Sequence, residues 1–176
     1  MKKIGTHIII QARMGSSRLP GKILAPFIGE YTPLRWIIER ARLSKYAERV
    51  IVATSTNPKD DATEKACVDA GCDVYRGSED DVLQRVAEAV RKFNTQIIID
   101  STGDNPFFDL AEMDRMIEIL EMEQMEYLNN HPTGLPLGTG TQVFSREAVD
   151  KVVSLATSPY DHEHVTPYFY HHPELF

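Results

Sequence analysis

Three continuous apolar runs, separated by helical patterns, constrain the fold of this chain more than any other feature. The runs are Ile8-Ile9-Ile10, Val50-Ile51-Val52-Ala53 and Ile97-Ile98-Ile99. They predict strands at residues 7–12, 49–54 and 96–100. Because these apolar residues are consecutive rather than alternating, they are typical of strands buried on both faces of a parallel sheet.

The segments between and after these runs have the spacing of amphipathic helices. Apolar residues three and four positions apart predict helices at residues 33–43, 61–70, 81–93, 110–123 and 146–155. Pro33 suits a first helical turn, and Gly71 suits the position just after a helix end. Alternating strands and helices predict an α/β fold, a three-layer sandwich with a mainly parallel sheet.

The last third of the chain has a different pattern. Short strands are predicted at residues 127–130 and 141–145, on either side of a loop rich in Pro and Gly. The sequence has no internal repeat and no evident linker. We therefore expect one domain over residues 1–176, with a loop and strand excursion at about residues 127–144.

Composition excludes several classes of protein. The net charge of −7 argues against coating nucleic acid, which needs a basic face. No apolar stretch approaches the ~20 residues that span a membrane, and the N-terminus predicts a strand rather than a targeting segment. Cys67 and Cys72 do not form a Cys-x-x-Cys pair, so we expect unpaired thiols in a cytoplasmic protein.

A glycine-rich basic segment follows the first predicted strand. It reads Arg13-Met14-Gly15-Ser16-Ser17-Arg18-Leu19-Pro20-Gly21-Lys22. Ligands of parallel α/β sheets bind beyond the carboxyl ends of the strands. Glycines allow close approach of phosphate oxygens, successive backbone N–H groups can form an anion nest, and three cations add charge. The segment therefore predicts a phosphate-binding loop, with a solvated basic loop as the alternative.

This loop is neither of two common nucleotide-binding motifs. A Walker A loop requires a hydroxyl residue after the lysine, where Ile23 stands, and the Rossmann Gly-x-Gly-x-x-Gly pattern is absent. Asp104 follows the third apolar run and could hold Mg²⁺, although Gly-Asp-Asn-Pro is also a good turn sequence. The segment at residues 161–164 contains His-x-His, which does not fit the usual zinc spacings.

Residues 9–22 resemble the opening motif of the cytidylyltransferases that make CMP-activated sugars. The resemblance is closest to the spore coat polysaccharide branch, with the acylneuraminate and 3-deoxy-manno-octulosonate cytidylyltransferases as wider relatives. It continues at residues 53–55, 75–83, 103–106 and 163–168. It implies a nucleotide-diphospho-sugar transferase-like (Rossmann-like) fold. It also implies an enzyme that transfers CMP from CTP to a sugar or sugar acid and releases pyrophosphate, in polysaccharide biosynthesis.

The resemblance also implies roles for individual residues. Those expected to bind the nucleotide are Ala12, Arg13, Met14, Gly15, Ser16, Ser17, Arg18, Lys22, Thr54, Ser55, Arg76 and Gly77. The residues expected to be catalytic are Arg13, Lys22 and Asp104, and Asp104 would hold Mg²⁺. The residues expected near the acceptor are Gln142, Glu163 and His164. A homodimer formed through the excursion is a further expectation.

The chain departs from the family pattern in two places. Gly140 and Gln142 stand where relatives usually carry acidic residues. An Arg-Leu-Thr-x-Asp type segment is also missing, so we expect loss of the family's C-terminal segment. Three alternatives therefore stay open: another nucleotide with a sugar-phosphate or polyol-phosphate acceptor, a catalytically impaired nucleotide-binding module, and an interaction domain that binds no nucleotide.

Overall fold

A computed structural model describes residues 1–16, 18–130 and 138–176. The strands in these ranges are β1 (Lys3–Gln11), β2 (Ala47–Ser55), β3 (Asp73–Gly77), β4 (Ile97–Thr102), β5 (Tyr127–Asn129) and β6 (Gln142–Ser145). The α-helices are α1 (Pro33–Ala41), α2 (Asp61–Asp69), α3 (Val82–Lys92), α4 (Leu110–Met122), α5 (Arg146–Leu155), α6 (Pro159–His164) and α7 (Pro167–His171). Short 3₁₀ turns lie at Lys22–Leu24, Pro58–Asp60 and Pro173–Leu175.

The six strands described form one mixed sheet in the order β3-β2-β1-β4-β6-β5. β1 lies parallel to both β2 and β4, and β2 lies parallel to β3. β6 is antiparallel to its neighbours β4 and β5. The predicted α/β sandwich with a mainly parallel sheet is therefore confirmed.

Two apolar cores lie on opposite faces of this sheet. On one face, Ile8 and Ile10 pack with residues of α1 and α4 such as Leu34 and Ile117. On the other face, Ile9 belongs to a cluster formed with α3 and α5. Successive side chains of a strand point to opposite faces, so a strand covered on both sides needs consecutive apolar residues. This arrangement explains the apolar runs from which the fold was predicted.

Side-chain caps place the starts of the helices. The Thr32 hydroxyl accepts a hydrogen bond from Arg35 N at 3.2 Å at the start of α1. Asp81 accepts one from Gln84 N at 2.9 Å at the start of α3. Such bonds satisfy backbone N–H groups that lack a partner in the first helical turn. The five predicted helices are confirmed, with ends that differ from the predictions by at most two residues.

The segment after α5 differs from the prediction, which placed no element there. α6 and α7 occupy it, and Phe169 of α7 stacks on Tyr127 of β5 with ring centroids 4.4 Å apart. Both helices are shorter than the span over which an apolar period can be recognised. No helix in the described ranges is long and apolar enough to cross a bilayer.

The core analysis predicts a sharp contrast between two isoleucines. Ile99 of β4 is fully buried, whereas Ile4 of β1 is 92% exposed. We expect Ile99→Ala to lower the free energy of unfolding by about 2–5 kcal/mol, because it removes buried methyl groups and leaves a cavity. Ile4→Ala should change it by less than about 0.5 kcal/mol. Urea unfolding measures both, and equal effects would contradict this assignment of the core.

Candidate functional site

A cleft of about 540 Å³ opens at the carboxyl ends of β1 and β4. Parallel pairing places Gln11, the last residue of β1, beside Thr102, the last residue of β4. The loops that follow both strands therefore leave the sheet side by side. The described residues that line the cleft are Gln11, Ala12, Arg13, Gly15, Ser16, Arg18, Lys22, Ile23, Val82, Arg85, Thr102, Gly103, Asp104, Glu163 and His164.

Asp60 holds the glycine-rich loop in place. Its buried carboxylate accepts hydrogen bonds from Met14 N at 2.7 Å and from the Thr63 hydroxyl at 3.0 Å, and it also contacts the Ser55 hydroxyl. Within the loop, Met14 O accepts from Gly21 N at 3.0 Å. Gly21 has a φ of 73°, which favours glycine. One buried carboxylate thus ties the loop to the end of β2 and the start of α2.

The cleft concentrates positive charge on an acidic protein. Among the described residues that line it, four are cations, namely Arg13, Arg18, Lys22 and Arg85. Arg13 Nη1 donates to the Glu79 carbonyl oxygen at 2.9 Å, a bond that leaves its charge uncompensated. Burial lowers the pKa of Arg85 to about 10, so this guanidinium is still charged at neutral pH. Local charge of this kind attracts a small anion whatever the net charge of the chain.

Asp104 faces these cations from the turn after β4, and its carboxylate contacts the Lys22 ammonium. Partial burial alone would raise the pKa of Asp104, but hydrogen bonds from Lys22 and Thr102 outweigh it and lower that pKa. Asp104 is therefore ionised at neutral pH. Among the residues described, no group of three or more metal-ligating side chains occurs. A single ionised carboxylate nevertheless fits Mg²⁺, which often takes one protein carboxylate together with substrate phosphates.

Glu163 and His164, at the end of α6, also line the cleft. The next residue, Val165, is fully buried and has a φ of 61°. A β-branched residue at positive φ is a strained exception. His162 anchors the same helix, since its Nδ1 lies 2.9 Å from Asp81 Oδ2 and its Nε2 lies 3.2 Å from the Ala156 carbonyl.

Several residues expected to bind the nucleotide do not line the cleft. Thr54 and Ser55 are fully buried, and Gly77 packs against Arg85. The Arg76 guanidinium pairs with two carboxylates of α2, Asp61 and Glu64, each at 2.7 Å. The contacts of Ser55 with Asp60, of Arg76 and of Gly77 support the strand ends, while the buried Thr54 hydroxyl has no hydrogen-bond partner among the described residues. The role of these four positions in nucleotide binding stays a prediction.

Two further predicted residues, Met14 and Gln142, are not among the residues that line the cleft. Met14 packs against the core with its side chain, although its backbone belongs to the loop. Ser17 lies outside the described residues. Gln142 does not line the cleft either: its side chain accepts from the Tyr127 hydroxyl at 2.7 Å and donates to the Thr166 hydroxyl at 3.1 Å.

The structure also brings residues to the cleft that the sequence reasoning missed. Gln11 lines it and donates to Asp100 Oδ1 at 2.6 Å, while desolvation raises the pKa of Asp100 to about 7. Gly103 packs so tightly that a Cβ there would lie 2.8 Å from the Ala12 Cβ. Arg85 is a cation inside the apolar stripe of α3, three residues after Val82. That interruption of the stripe was a signal that could have identified it.

Comparison with known proteins places the chain in a class and then in a family. A solved structure of a cytidylyltransferase from Leptospira borgpetersenii superposes with a TM-score of 0.92 at 38% identity, covering 98% of this chain and 73% of that one. The fold is thus that of a nucleotidyltransferase. The cytidylyltransferase family model matches residues 7–176. The chain therefore belongs to the cytidylyltransferase family.

Two relatives with assigned names support this placement. Spore coat polysaccharide biosynthesis protein SpsF of Bacillus subtilis is 37% identical over 174 residues, which are 96% of this chain and 71% of that protein. The 3-deoxy-manno-octulosonate cytidylyltransferase of Psychrobacter cryohalolentis is 32% identical over 158 residues, which are 86% of this chain and 55% of that protein. The predicted resemblance to these branches is confirmed.

The role of Asp60 can be tested against its neighbour. Asp60→Ala leaves three donors without their acceptor, two of them buried side chains, so we expect the free energy of unfolding to fall by about 2–4 kcal/mol. Asp61→Ala removes a carboxylate whose side chain is 68% exposed and should cost less than about 1 kcal/mol. Urea unfolding compares the two variants, and similar losses would refute the anchoring role of Asp60.

The His162 contacts predict a pH dependence of stability. The hydrogen bond to Asp81 raises the pKa of His162 in the folded protein. Its stabilising contribution is therefore complete below the ordinary histidine pKa of about 6.5 and is lost as the pH rises through the higher folded value. The free energy of unfolding of the parent, measured with urea, should therefore fall over this pH window, and that of His162→Gln should fall less. The exposed control His171→Gln should keep the parent profile.

Proposed function

We propose that this chain transfers CMP from CTP to a sugar or sugar-acid hydroxyl and releases pyrophosphate, in the synthesis of a surface polysaccharide. The observation that carries the proposal is the cleft, where four cations of the described chain and a glycine-rich loop meet an ionised carboxylate at the strand ends. The names of the relatives, a spore coat polysaccharide protein and a 3-deoxy-manno-octulosonate cytidylyltransferase, support this nucleotide and this class of acceptor.

The glycine-rich loop would hold the triphosphate. Its backbone N–H group at Gly15 can donate to a phosphate oxygen, whereas that of Ser16 already donates to the Met14 carbonyl at 2.9 Å. Arg13 and Arg18 would add bidentate hydrogen bonds, and Lys22 a point charge. Ser17, Thr54, Ser55, Arg76 and Gly77 enter the proposal as the nucleotide-binding residues predicted from the sequence.

Asp104 would hold Mg²⁺ together with phosphate oxygens of the nucleotide. When bound, the metal supplies Lewis-acid neutralisation of charge at the α-phosphoryl group. In the structure, the Lys22 ammonium and the Asp104 carboxylate contact each other. When the nucleotide and metal bind, the ammonium would be available to the phosphates and the carboxylate to the metal.

The reaction then needs little covalent chemistry from the protein. The acceptor oxygen forms a bond to the α-phosphorus while the bond from that phosphorus to the α,β-bridging oxygen breaks, and pyrophosphate leaves. The acceptor proton is released. Positioning and electrostatic stabilisation can carry such transfers. Glu163 and His164, which line the cleft, would contact the acceptor together with Gln142 of β6, as predicted from the sequence.

A nucleotide screen with one variant tests the proposal. Titration of CTP in Mg²⁺ should show tighter binding than UTP, GTP or ATP, and pyrophosphate should appear once a suitable sugar acid is supplied. Lys22→Ala should weaken CTP binding by about 10- to 100-fold, because it removes one charge-assisted contact to phosphate. Lys65→Ala, which removes a 75% exposed lysine of α2, is the matched control.

The outcomes separate the proposal from its alternatives. CTP binding without pyrophosphate release from any acceptor would favour a nucleotide-binding module without turnover. Tighter binding of another nucleotide would mean that this nucleotide, and not CTP, is the donor. CTP affinity unchanged by Lys22→Ala, with the fold retained by circular dichroism, would remove the glycine-rich loop from the site.

A further inference from the structure

Arg85 of α3 is a buried arginine that faces the cleft. Only 2% of the residue is exposed, and it is among the largest fully buried side chains of the described chain. It lies in the apolar stripe of α3 with Val82 and Val86, yet it also lines the cleft. Arginine is almost never fully buried unless its charge is paired. The partners of the Arg85 charge therefore decide what this residue does.

The contacts of Arg85 satisfy its hydrogen-bonding groups only in part. Its Nη1 donates to the Ser78 carbonyl at 2.5 Å and to the Glu79 carbonyl at 3.3 Å. Its Nε is buried and has no hydrogen-bond partner. Arg13 Nη1 donates to the same Glu79 carbonyl, so two guanidinium groups meet at one neutral oxygen. Neither arginine forms an ion pair with a carboxylate in the described parts of the chain.

The carboxylates nearest to Arg85 are used elsewhere. Asp60 accepts from Met14 N and from hydroxyl groups. Glu79 accepts from Asn57 Nδ2 at 2.7 Å. Asp81 caps α3 and contacts His162. The fold thus surrounds Arg85 with acids and still leaves its charge without a direct partner.

This arrangement points to an anion that arrives from the cleft. Burying an unpaired guanidinium is costly, and a second guanidinium beside it adds repulsion. A neutral side chain with N–H groups could donate to the Ser78 and Glu79 carbonyls without burying a charge and without repelling Arg13. An anionic group bound between Arg13 and Arg85 would relieve both, because it accepts from the free nitrogen atoms and compensates the two charges.

We propose that Arg85 is a phosphate-binding residue of the nucleotide site, acting beside Arg13 on the phosphate chain of the bound nucleotide. The inference rests on the proposed function for the identity of the ligand, but its physical basis is the unpaired charge itself. It adds a fourth cation, from α3, to those that the glycine-rich loop provides. The Ser78 and Glu79 carbonyls hold the guanidinium in place before the ligand binds.

Arg85→Gln tests this role, with Arg91→Gln as the matched control. Arg91 lies on the same helix, is 40% exposed and pairs with Asp150 at the surface. We expect Arg85→Gln to weaken the binding of CTP and of inorganic pyrophosphate by about 10- to 100-fold, measured by calorimetric titration. Cytidine, which carries no phosphate, should bind as to the parent, measured by NMR titration. Arg91→Gln should change none of the three affinities.

A second variant separates a loss of binding from a loss of the fold. Arg85→Lys keeps one positive charge but not the paired nitrogen atoms, so it should fold and bind pyrophosphate less tightly than the parent does. Equal loss for cytidine and CTP would mean that Arg85 only holds the loop, and this would overturn the inference. Unchanged pyrophosphate affinity in a folded Arg85 variant would overturn it too.

The same titrations separate this inference from the proposed function. Pyrophosphate binding that depends on Arg85, without preference for CTP among nucleotides, would uphold the inference and reject the proposed donor. If the parent prefers CTP but substitution of Arg85 has no effect on binding, the proposed donor would be upheld and the inference about Arg85 rejected. A parent that binds neither pyrophosphate nor CTP would overturn both.

Discussion

The close approach of two strand ends is the constraint on which the site depends. β1 and β4 pair in parallel, with Gln11 beside Thr102, and the chain then turns outward from both. Gly103 passes so near Ala12 that no side chain fits between them. Because the two loops leave the sheet together, the cations that follow β1 face the carboxylate that follows β4. A larger separation between Gly103 and Ala12 would move Lys22 away from Asp104 and widen the cleft.

Electrostatics in this cleft depends on how the fold assigns its acids. The chain has more acidic than basic residues, yet four of the described residues that line one cleft are cations. Asp60, Asp81 and Glu79 lie close by, but hydrogen bonds to backbone, amide and hydroxyl groups occupy them. These acids build the loop and cap the helix, and in the described structure none of them forms an ion pair with Arg13 or Arg85. Their charges act on Arg85 only through space.

Sequence reasoning recovered the elements with a clear period and missed those without one. The five longer helices and the buried strands were predicted because each repeats an apolar position many times. α6 and α7 are too short to show a period, and the strain at Val165 that separates them is invisible in composition. Among the site residues, those in the contiguous loop were predicted together, with Asp104. Arg85 was not predicted, because it lies among the apolar residues of α3, far in sequence from the loop.

The sequence by itself determined the class of fold, the glycine-rich basic loop after β1 and the resemblance to the cytidylyltransferases, since all three depend on local patterns of neighbouring residues. The tertiary structure alone decided which residues face the cleft. Ser55 and Arg76 lie in motifs of the same family as Arg13, yet contacts across elements turn them toward Asp60 and α2. Burial and pairing depend on residues distant in the chain, and these also leave Arg85 charged and without an acidic partner in the described structure.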